Sequence, residues 1–300
     1  MLYKGEREMS EQPIVQPVKK SEASPAVRTL LDDIQDTMGT PWPPTNWRAH
    51  AMYPAAASLF WERIRPAVAT EEFLRAALAI TERAYSEAVN WYQPSYRPDV
   101  PEEARQQIQW ELDAFDFGNP QLMIQEAALH RALEGQVAGR LAPMEWRRYP
   151  SPYRRPEIRM IEEAEAPPEV RLIYEDIKRT LDLPIVNADY QAMAKWPAFL
   201  QQAWGDVKRW REREEYQRTK QALALMAQEA AQRLSPPLRI AAHELEAALP
   251  DAEERGNLRR MVALFDQLLS GLTLNVALFR VGAAAGEMIP APQVKQVPER

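Results

Sequence analysis

Two polar residues beside predicted helix starts are the candidates for chemistry in this sequence. Asp189 stands in PIVNADYQAMAKWP, after a loop and before a helix, and Asn119 stands in AFDFGNPQL. A helix start favours the ionised form of a carboxylate, and an ionised Asp in a dry pocket can accept a proton from water. A structural interpretation competes with this one, because Asp is a preferred N-cap and Asn before Pro is a typical start of a helix.

Other common catalytic motifs are missing from the chain. It contains no cysteine, no GxSxG, no HExxH and none of the glycine patterns that bind phosphate. None of the three histidines, His50, His130 and His243, follows a Glu by three residues, the spacing used in di-iron helical bundles. We therefore expect no metal site and no Ser-His-Asp triad, which leaves carboxylate chemistry.

The chain contains an internal repeat. Residues 26–66 match residues 169–209 at a constant offset of 143, and residues 114–129 match residues 264–279 at an offset of 150. The offset grows by seven residues between the matched blocks, as a longer loop would cause. Two copies of one helical unit predict a pseudo-twofold interface, and a ligand site on that axis would draw on both copies.

The two copies differ at the candidate residues. Asp189 aligns with Asn46, which cannot act as a base, and Asn119 aligns with Leu269. Each chemical group therefore occurs in one copy only. This asymmetry favours a functional interpretation of Asp189 over the other acidic residues of the chain.

The apolar pattern predicts an all-α fold. Apolar residues of segment 26–38 recur at helical spacing, and Ser24 followed by Pro25 is a suitable helix start. Similar stripes over 102–116 and 121–134 predict two helices on either side of Pro120. We find no convincing alternation of β-branched residues, so the fold is expected to be two tandem helical repeats that form a pseudo-twofold dimer within one chain.

Proline-rich and charged stretches set the expected domain boundaries. Five segments are predicted: a flexible tail at 1–23, helical repeat 1 at 24–140, a proline-rich linker at 141–166, helical repeat 2 at 167–290 and a C-terminal tail at 291–300. The linker is long enough to cross from one copy to the other.

Composition limits the class of partner. A net charge of −6 and a pI near 5.4 argue against nucleic-acid binding, which needs a clustered basic surface. Residues 1–23 lack the apolar core of a signal peptide, and no run approaches the roughly 18 apolar residues of a membrane span. The lack of cysteine fits a reducing compartment, so we expect a cytoplasmic protein that binds neither nucleic acid nor membrane.

Several motifs together resemble one family, the group I 2-haloacid dehalogenases, which act on both D- and L-2-haloalkanoic acids. The similarity covers roughly residues 24–285. The motifs that carry it are YEDI at 174–177 with LDDI at 31–34, TPW at 40–42, FDFGNP at 115–120 and DYQAMAKWPAFL at 189–200.

The resemblance implies an active site between two helical repeats, a small carboxylate substrate and no cofactor. In such an enzyme an Asp activates a water, which attacks the halogen-bearing Cα directly and inverts its configuration without an ester intermediate. The matching residues here are Asp189 as the base, Asn119 as a residue that holds the water and Trp42 as part of the pocket wall. A homodimer is a further expectation.

The chain departs from the family pattern at four expected pocket positions. Thr45 stands where an aromatic residue is usual, Leu122 and Phe265 each stand where a Tyr is usual, and Ala188 replaces a small polar residue. These departures bear on the substrate more than on the reaction type. The alternative is a non-dehalogenating helical relative that binds or hydrolyses another small carboxylate.

Overall fold

The computed structural model describes residues 13–147, 151, 153 and 156–284, and these residues form eleven helices. Strand pairing within them is limited to two isolated bridges, so the all-α prediction is confirmed. The helices are α1 Pro25–Met38, α2 Thr45–His50, α3 Pro54–Val68, α4 Glu71–Trp91, α5 Glu102–Leu133, α6 Pro168–Leu181, α7 Ala188–Met193, α8 Pro197–Trp210, α9 Glu214–Ala231, α10 Ala242–Ala248 and α11 Ala252–Ala283.

Local sequence explains how the first helix begins. The Ser24 side chain accepts a hydrogen bond from the Val27 amide, and Pro25 is the first helical residue. Because the first amides of a helix lack partners within it, this cap stabilises the start of α1. The same helix buries Leu31 and Ile34 completely on its apolar face. The predicted start of α1 is confirmed.

The prediction of two helices on either side of Pro120 is wrong, because α5 runs through that residue. Proline has no N–H, so the carbonyl of Asp116, four residues earlier, loses its usual partner. The Thr81 hydroxyl of α4 donates a hydrogen bond to that carbonyl at 2.6 Å. Tertiary structure therefore restores the lost bond, and Asn119 lies in the middle of a helix instead of capping one.

The helix starts recur at the offsets of the sequence repeat. The first residues of α6 to α9 each lie 143 positions after the first residues of α1 to α4, and α11 begins 150 positions after α5. The extra helix α10 lies in the longer connection before α11. The superposition of the two sets and the predicted domain boundaries stay predictions.

The two longest helices, α5 and α11, form the centre of the fold and pack against each other most extensively. By length and composition, Ala252–Ala283 could also cross a membrane, so the expectation that no segment is apolar enough is wrong. However, 67% of its apolar window is buried by the other helices, as in the core helix of a globular domain.

The part of the predicted N-terminal tail that the structure describes is held in place. Ile14 exchanges two backbone hydrogen bonds with the Asn257 side chain of α11, at 2.7 and 3.0 Å, and Val15 is buried. Residues 1–12 of the tail predicted at 1–23 lie outside the described residues, as does the predicted tail at 291–300.

The described part of the linker holds the segments that carry the candidate residues. The Ile158 amide donates to the carbonyl of Pro41, next to Trp42, and the Ile161 amide donates to the carbonyl of Gln191 in α7. The linker thus binds the chain just before α2 and also α7, which keeps these two short segments in register with the core.

Candidate active site

Asp189 lies on the short helix α7, but it does not cap it. The N-cap is Asn187, whose side chain makes no capping hydrogen bond, and Asp189 is the second helical residue. Its Oδ1 accepts a hydrogen bond of 3.1 Å from the Tyr190 amide. The N-cap interpretation is therefore wrong for Asp189, as it is for Asn119.

A small cavity forms where α2, α5, α7 and α11 meet. Its volume is about 20 Å³, enough for about one water molecule. All seven residues that the sequence singled out line it. The complete wall consists of Trp42, Thr45, Asn46, Asn119, Leu122, Asn187, Ala188, Asp189, Phe265, Leu269 and Leu272.

A larger cavity of about 350 Å³ lies between α4 and α9, but its chemistry is weaker. It contains none of the predicted residues, and none of its side chains has a buried polar atom without a hydrogen-bond partner. The small cavity contains several such atoms. Volume alone therefore does not identify the site of chemistry in this fold.

Four buried polar atoms in the wall of the small cavity have no hydrogen-bond partner among the described residues. They are Asn46 Oδ1, Asn119 Nδ2, Asn187 Oδ1 and Asp189 Oδ2. Buried polar side-chain atoms ordinarily have a partner, so each such atom requires an explanation. A donor on Asn119 and acceptors on the other three suit a small molecule that both donates and accepts hydrogen bonds, such as water.

Burial changes the acidity of Asp189. The side chain is only 1% exposed, and burial raises the pKa of Asp189 to about 8, although hydrogen bonds from the amides of Tyr190 and Asp189 itself act in the opposite direction. When it is ionised, this carboxylate is a stronger base than an ordinary one. A base with a pKa near the working pH is well matched to removing a proton from water.

The position aligned with Asp189 carries no charge. The Asn46 amide donates a hydrogen bond of 2.5 Å to Glu126 Oε1, and His50 Nε2 lies 3.5 Å from the same oxygen. Burial raises the pKa of Glu126 well above its usual range and lowers the pKa of His50 to about 3. Neither side chain lines the cavity, and Asp189 is the one carboxylate among the lining residues.

The Trp42 indole packs closely against α5. Its ring packs on Phe115 with centroids 4.3 Å apart, and a Cβ on Gly118 would lie 2.5 Å from Trp42 Cη2. Only glycine allows this approach, so Gly118 positions the indole beside the neighbouring Asn119.

Most of the cavity wall consists of pairs related by the repeat offsets. The pairs at 143 are Thr45 with Ala188 and Asn46 with Asp189; those at 150 are Asn119 with Leu269 and Leu122 with Leu272.

Four wall residues were not predicted to belong to the site. Three of them, Asn46, Leu269 and Leu272, are related to predicted site residues by the repeat offsets, which is the signal that could have identified them. No such signal existed for Asn187, whose counterpart is Pro44. Among the described residues, no group of three His, Asp or Glu side chains could hold a metal ion.

Comparisons with known proteins show the family of this chain. The family model described as "Halocarboxylic acid dehydrogenase DehI" matches residues 41–190. An (R)-2-haloacid dehalogenase of Pseudomonas putida is 32% identical over 281 residues, which is 89% of this chain and 92% of that protein. The chain belongs to the DehI family of 2-haloacid dehalogenases.

Members of this family are hydrolases that act on carbon–halide bonds. A "2-haloacid dehalogenase, configuration-inverting" of Pseudomonas sp. (strain 113) is 26% identical over 66% of this chain and 69% of that protein. A solved structure of a D-2-haloacid dehalogenase in complex with L-LA has a TM-score of 0.86 and 30% identity, covering 90% of this chain and 97% of that one. The match extends to nearly the whole fold.

Two wall positions at which the sequence resemblance led us to expect a tyrosine are apolar in this chain. Leu122 and Phe265 line the same cavity as Asn119 and Asp189. Thr45 and Ala188, a repeat-related pair, also line it. The departures seen in the sequence therefore lie within one cavity, where they alter the wall that would surround a substrate.

Proposed function

We propose that this protein hydrolyses short 2-haloalkanoic acids to 2-hydroxy acids with inversion at Cα, and that Asp189 activates the attacking water. One observation carries the mechanism. Asp189 Oδ2 and Asn119 Nδ2 are buried without hydrogen-bond partners in the wall of one cavity of about 20 Å³. A water between them would satisfy both atoms. The names of the relatives support the substrate class.

Direct attack needs no nucleophilic side chain. The water donates one proton to Asp189 while its oxygen bonds to Cα from the side opposite the halogen. The carbon–halogen bond breaks as the new bond forms, and its electron pair leaves with the halide. The products are a halide ion, a 2-hydroxy acid of inverted configuration and a proton held by Asp189. Asn119 orients the water through its side-chain amide.

The D enantiomer is the first substrate to expect, because the relative from Pseudomonas putida and the solved structure are named for the (R) or D form. Action on the L enantiomer is the broader proposal made from the sequence. A water that is held between two residues leaves room for mirror-related substrate poses, whereas a carboxylate nucleophile has a single line of attack.

We also propose that the two helix sets form a pseudo-twofold dimer with the cavity on its axis. Recurring helix starts and four offset-related pairs in the cavity wall support this arrangement. Homodimer formation and a cytoplasmic location stay predictions from the sequence.

The test is halide release from D- and L-2-chloropropionate by wild type, Asp189→Asn and Asn119→Ala. A positioned general base contributes roughly 10²–10⁴-fold, so Asp189→Asn should lose that factor while keeping its fold. Wild-type turnover in Asp189→Asn would reassign the base. No halide from several 2-haloacids would favour the non-dehalogenating alternative.

A single turnover in H₂¹⁸O, with enzyme in excess, separates direct attack from an ester route. Direct attack gives labelled lactate on the first turnover. An ester route would give unlabelled lactate first and leave the label in the carboxylate of the protein.

A further inference from the structure

A second, cationic cavity adjoins the candidate active site. It lies between α9 and α11 and has a volume of about 90 Å³. Leu272 lines both cavities and so separates them by one side chain. The complete wall consists of Leu181, Leu183, Arg211, Tyr216, Gln217, Lys220, Leu268, Gly271, Leu272 and Asn275.

The charges in this wall are all positive. Arg211 and Lys220 line the cavity, and no acidic side chain does. Lys220 lies over α11, where its Cε would be 3.5 Å from a Cβ on Gly271, and no described acidic side chain forms an ion pair with it. Arg211 pairs at 2.9 Å with Glu212, which is mostly exposed and does not line the cavity.

The two cations also interact with each other. Burial lowers the pKa of Lys220, and the positive charge of Arg211 lowers it further. Two partly buried like charges with no acid between them repel each other. An anion between them would remove this cost, because it would interact favourably with both.

The aligned residues of the first helix set carry no charge. The residues 143 positions before Arg211, Tyr216 and Lys220 are all buried and apolar: Val68, Phe73 and Ala77. Arg211 and Lys220 therefore have no counterpart at the aligned positions of the first helix set.

Hydrogen bonds connect the cationic cavity to the segment that carries the proposed base. Tyr216 donates to Asn275 Oδ1 at 2.7 Å, and the Asn275 amide donates to the Tyr190 hydroxyl at 2.8 Å. The Tyr190 amide in turn donates to Asp189 Oδ1. The two cavities are therefore connected by a polar series of hydrogen bonds and, at Leu272, by an apolar side chain.

We propose that the cavity lined by Arg211 and Lys220 is an antechamber that binds small monovalent anions on their way to and from the active site. This inference rests on the proposed function for its biological meaning, since a 2-haloacid enters as a carboxylate and the reaction releases a halide. The carboxylate substrate and the halide product are both small ions with one negative charge.

Anion binding can be measured without turnover by ³⁵Cl NMR line broadening, with chloride as the probe. Wild type should broaden the chloride signal, and the double variant Arg211→Gln/Lys220→Gln should lose most of that broadening. Arg218→Gln is the matched control, because Arg218 is an exposed cation on the same helix that does not line the cavity. Lys220→Arg should keep the signal, since it keeps the charge.

Propionate distinguishes the two sources of anion. If propionate narrows the chloride signal, carboxylate and halide share the antechamber. If it does not, the site is assigned to the halide product. Broadening that is equal in wild type and the double variant would overturn the proposal. Should the double variant fail to fold by circular dichroism, Lys220→Gln alone decides, with half or more of the broadening expected to disappear.

Kinetics supply a second readout. Electrostatic capture raises association rates by about 10–10³-fold at low salt. The double variant should therefore lose about tenfold in kcat/KM, mainly through KM, and its kcat/KM should depend less on ionic strength. Arg218→Gln should leave both unchanged. The NMR result does not depend on Asp189, so a failure of the proposed reaction and a failure of the antechamber give different outcomes.

Discussion

The first helix set, α1 to α5, and the second, α6 to α11, build one contact twice. In the first set, the Trp61 indole and the Arg65 guanidinium both donate to Asp33 Oδ2 at 2.7 Å. The same contact recurs 143 residues later between Trp204, Lys208 and Asp176. It joins α1 to α3 and α6 to α8, so the repeat retains the contacts that hold the helices together.

The cavity shows the opposite behaviour. Asp189 and Asn119 each share the cavity wall with an aligned residue that cannot do the same chemistry, namely Asn46 and Leu269. The comparison teaches that the helix starts and the contact of Asp33 and Asp176 are repeated, while the reactive groups are not. One base is enough to activate a water, and a symmetric pair of acids would instead repel each other and share a proton.

Exchanging the acid between the two sets should have the largest effect. Asp189→Asn is expected to lose roughly 10²–10⁴-fold in kcat. Adding Asn46→Asp should not restore it, because the new carboxylate would lie beside Glu126 and compete with it for a proton. Halide release from 2-chloropropionate measures both. Recovery to the wild-type rate in the double variant would show that the two positions are equivalent and break the comparison.

The stability of the protein should reveal the cost of burying the acid. Because the folded-state pKa of Asp189 is about 8, against 3.8 for the ordinary side chain, its contribution to stability is present below about pH 4 and is lost as the pH rises to about 8. Asp189→Asn removes this loss, which amounts to at most about 6 kcal/mol at about 1.4 kcal/mol per pKa unit. Denaturant melts should show a higher stability for Asp189→Asn at about pH 9 and little difference at about pH 4. If wild type and Asp189→Asn were equally stable at both pH values, Asp189 would not be buried in its protonated form.

Activity should respond to pH in the opposite direction. Asp189 must be ionised to accept a proton, so kcat/KM should rise about tenfold per pH unit and level off near pH 8. The pH profile of kcat/KM with D-2-chloropropionate measures this. A flat profile between about pH 5 and 8 would mean that the base has an ordinary carboxyl pKa.

One glycine in each helix set tests how closely the chain packs around it: Gly118 lies against Trp42, whereas Gly205 has open space beside it. Gly118→Ala places a Cβ 2.5 Å from Trp42 Cη2 and should destabilise the fold by about 1–3 kcal/mol and lower kcat/KM. Gly205→Ala in α8 meets nothing within 4 Å and should stabilise the fold by about 0.5–1 kcal/mol. Thermal melts and halide release measure the two effects. An unchanged kcat/KM in Gly118→Ala would show that the position of Trp42 does not matter.

The smallest effect is expected at the contact that recurs in the two helix sets. Asp33→Asn and Asp176→Asn should each destabilise the fold by about 1 kcal/mol, because each weakens the same set of hydrogen bonds. Turnover should be unchanged in both. Chemical denaturation measures the pair, and a loss confined to one variant would show that the repeated contact is not equivalent in the two sets.

Much of the candidate site could be predicted from the sequence because its residues lie in short motifs at a constant offset. The sequence marked seven of the wall residues, but it also favoured a cap at Asp189 and a break at Pro120, and both are wrong. Cap and breaker rules describe the local chain only. At Pro120 the decisive partner is Thr81, which belongs to another helix and cannot be identified from the neighbouring residues.

The sequence by itself determined the helical class, the start of α1 at Ser24 and Pro25, and the repeat, because periodicity, capping and alignment depend on residue order alone. Only the tertiary structure decided that Asp189 is buried, that its Oδ2 faces a cavity shared with Asn119, and that its pKa is raised. These properties depend on which distant groups exclude water and which atoms lack a partner. They arise when four helices, far apart in the chain, meet around one small space.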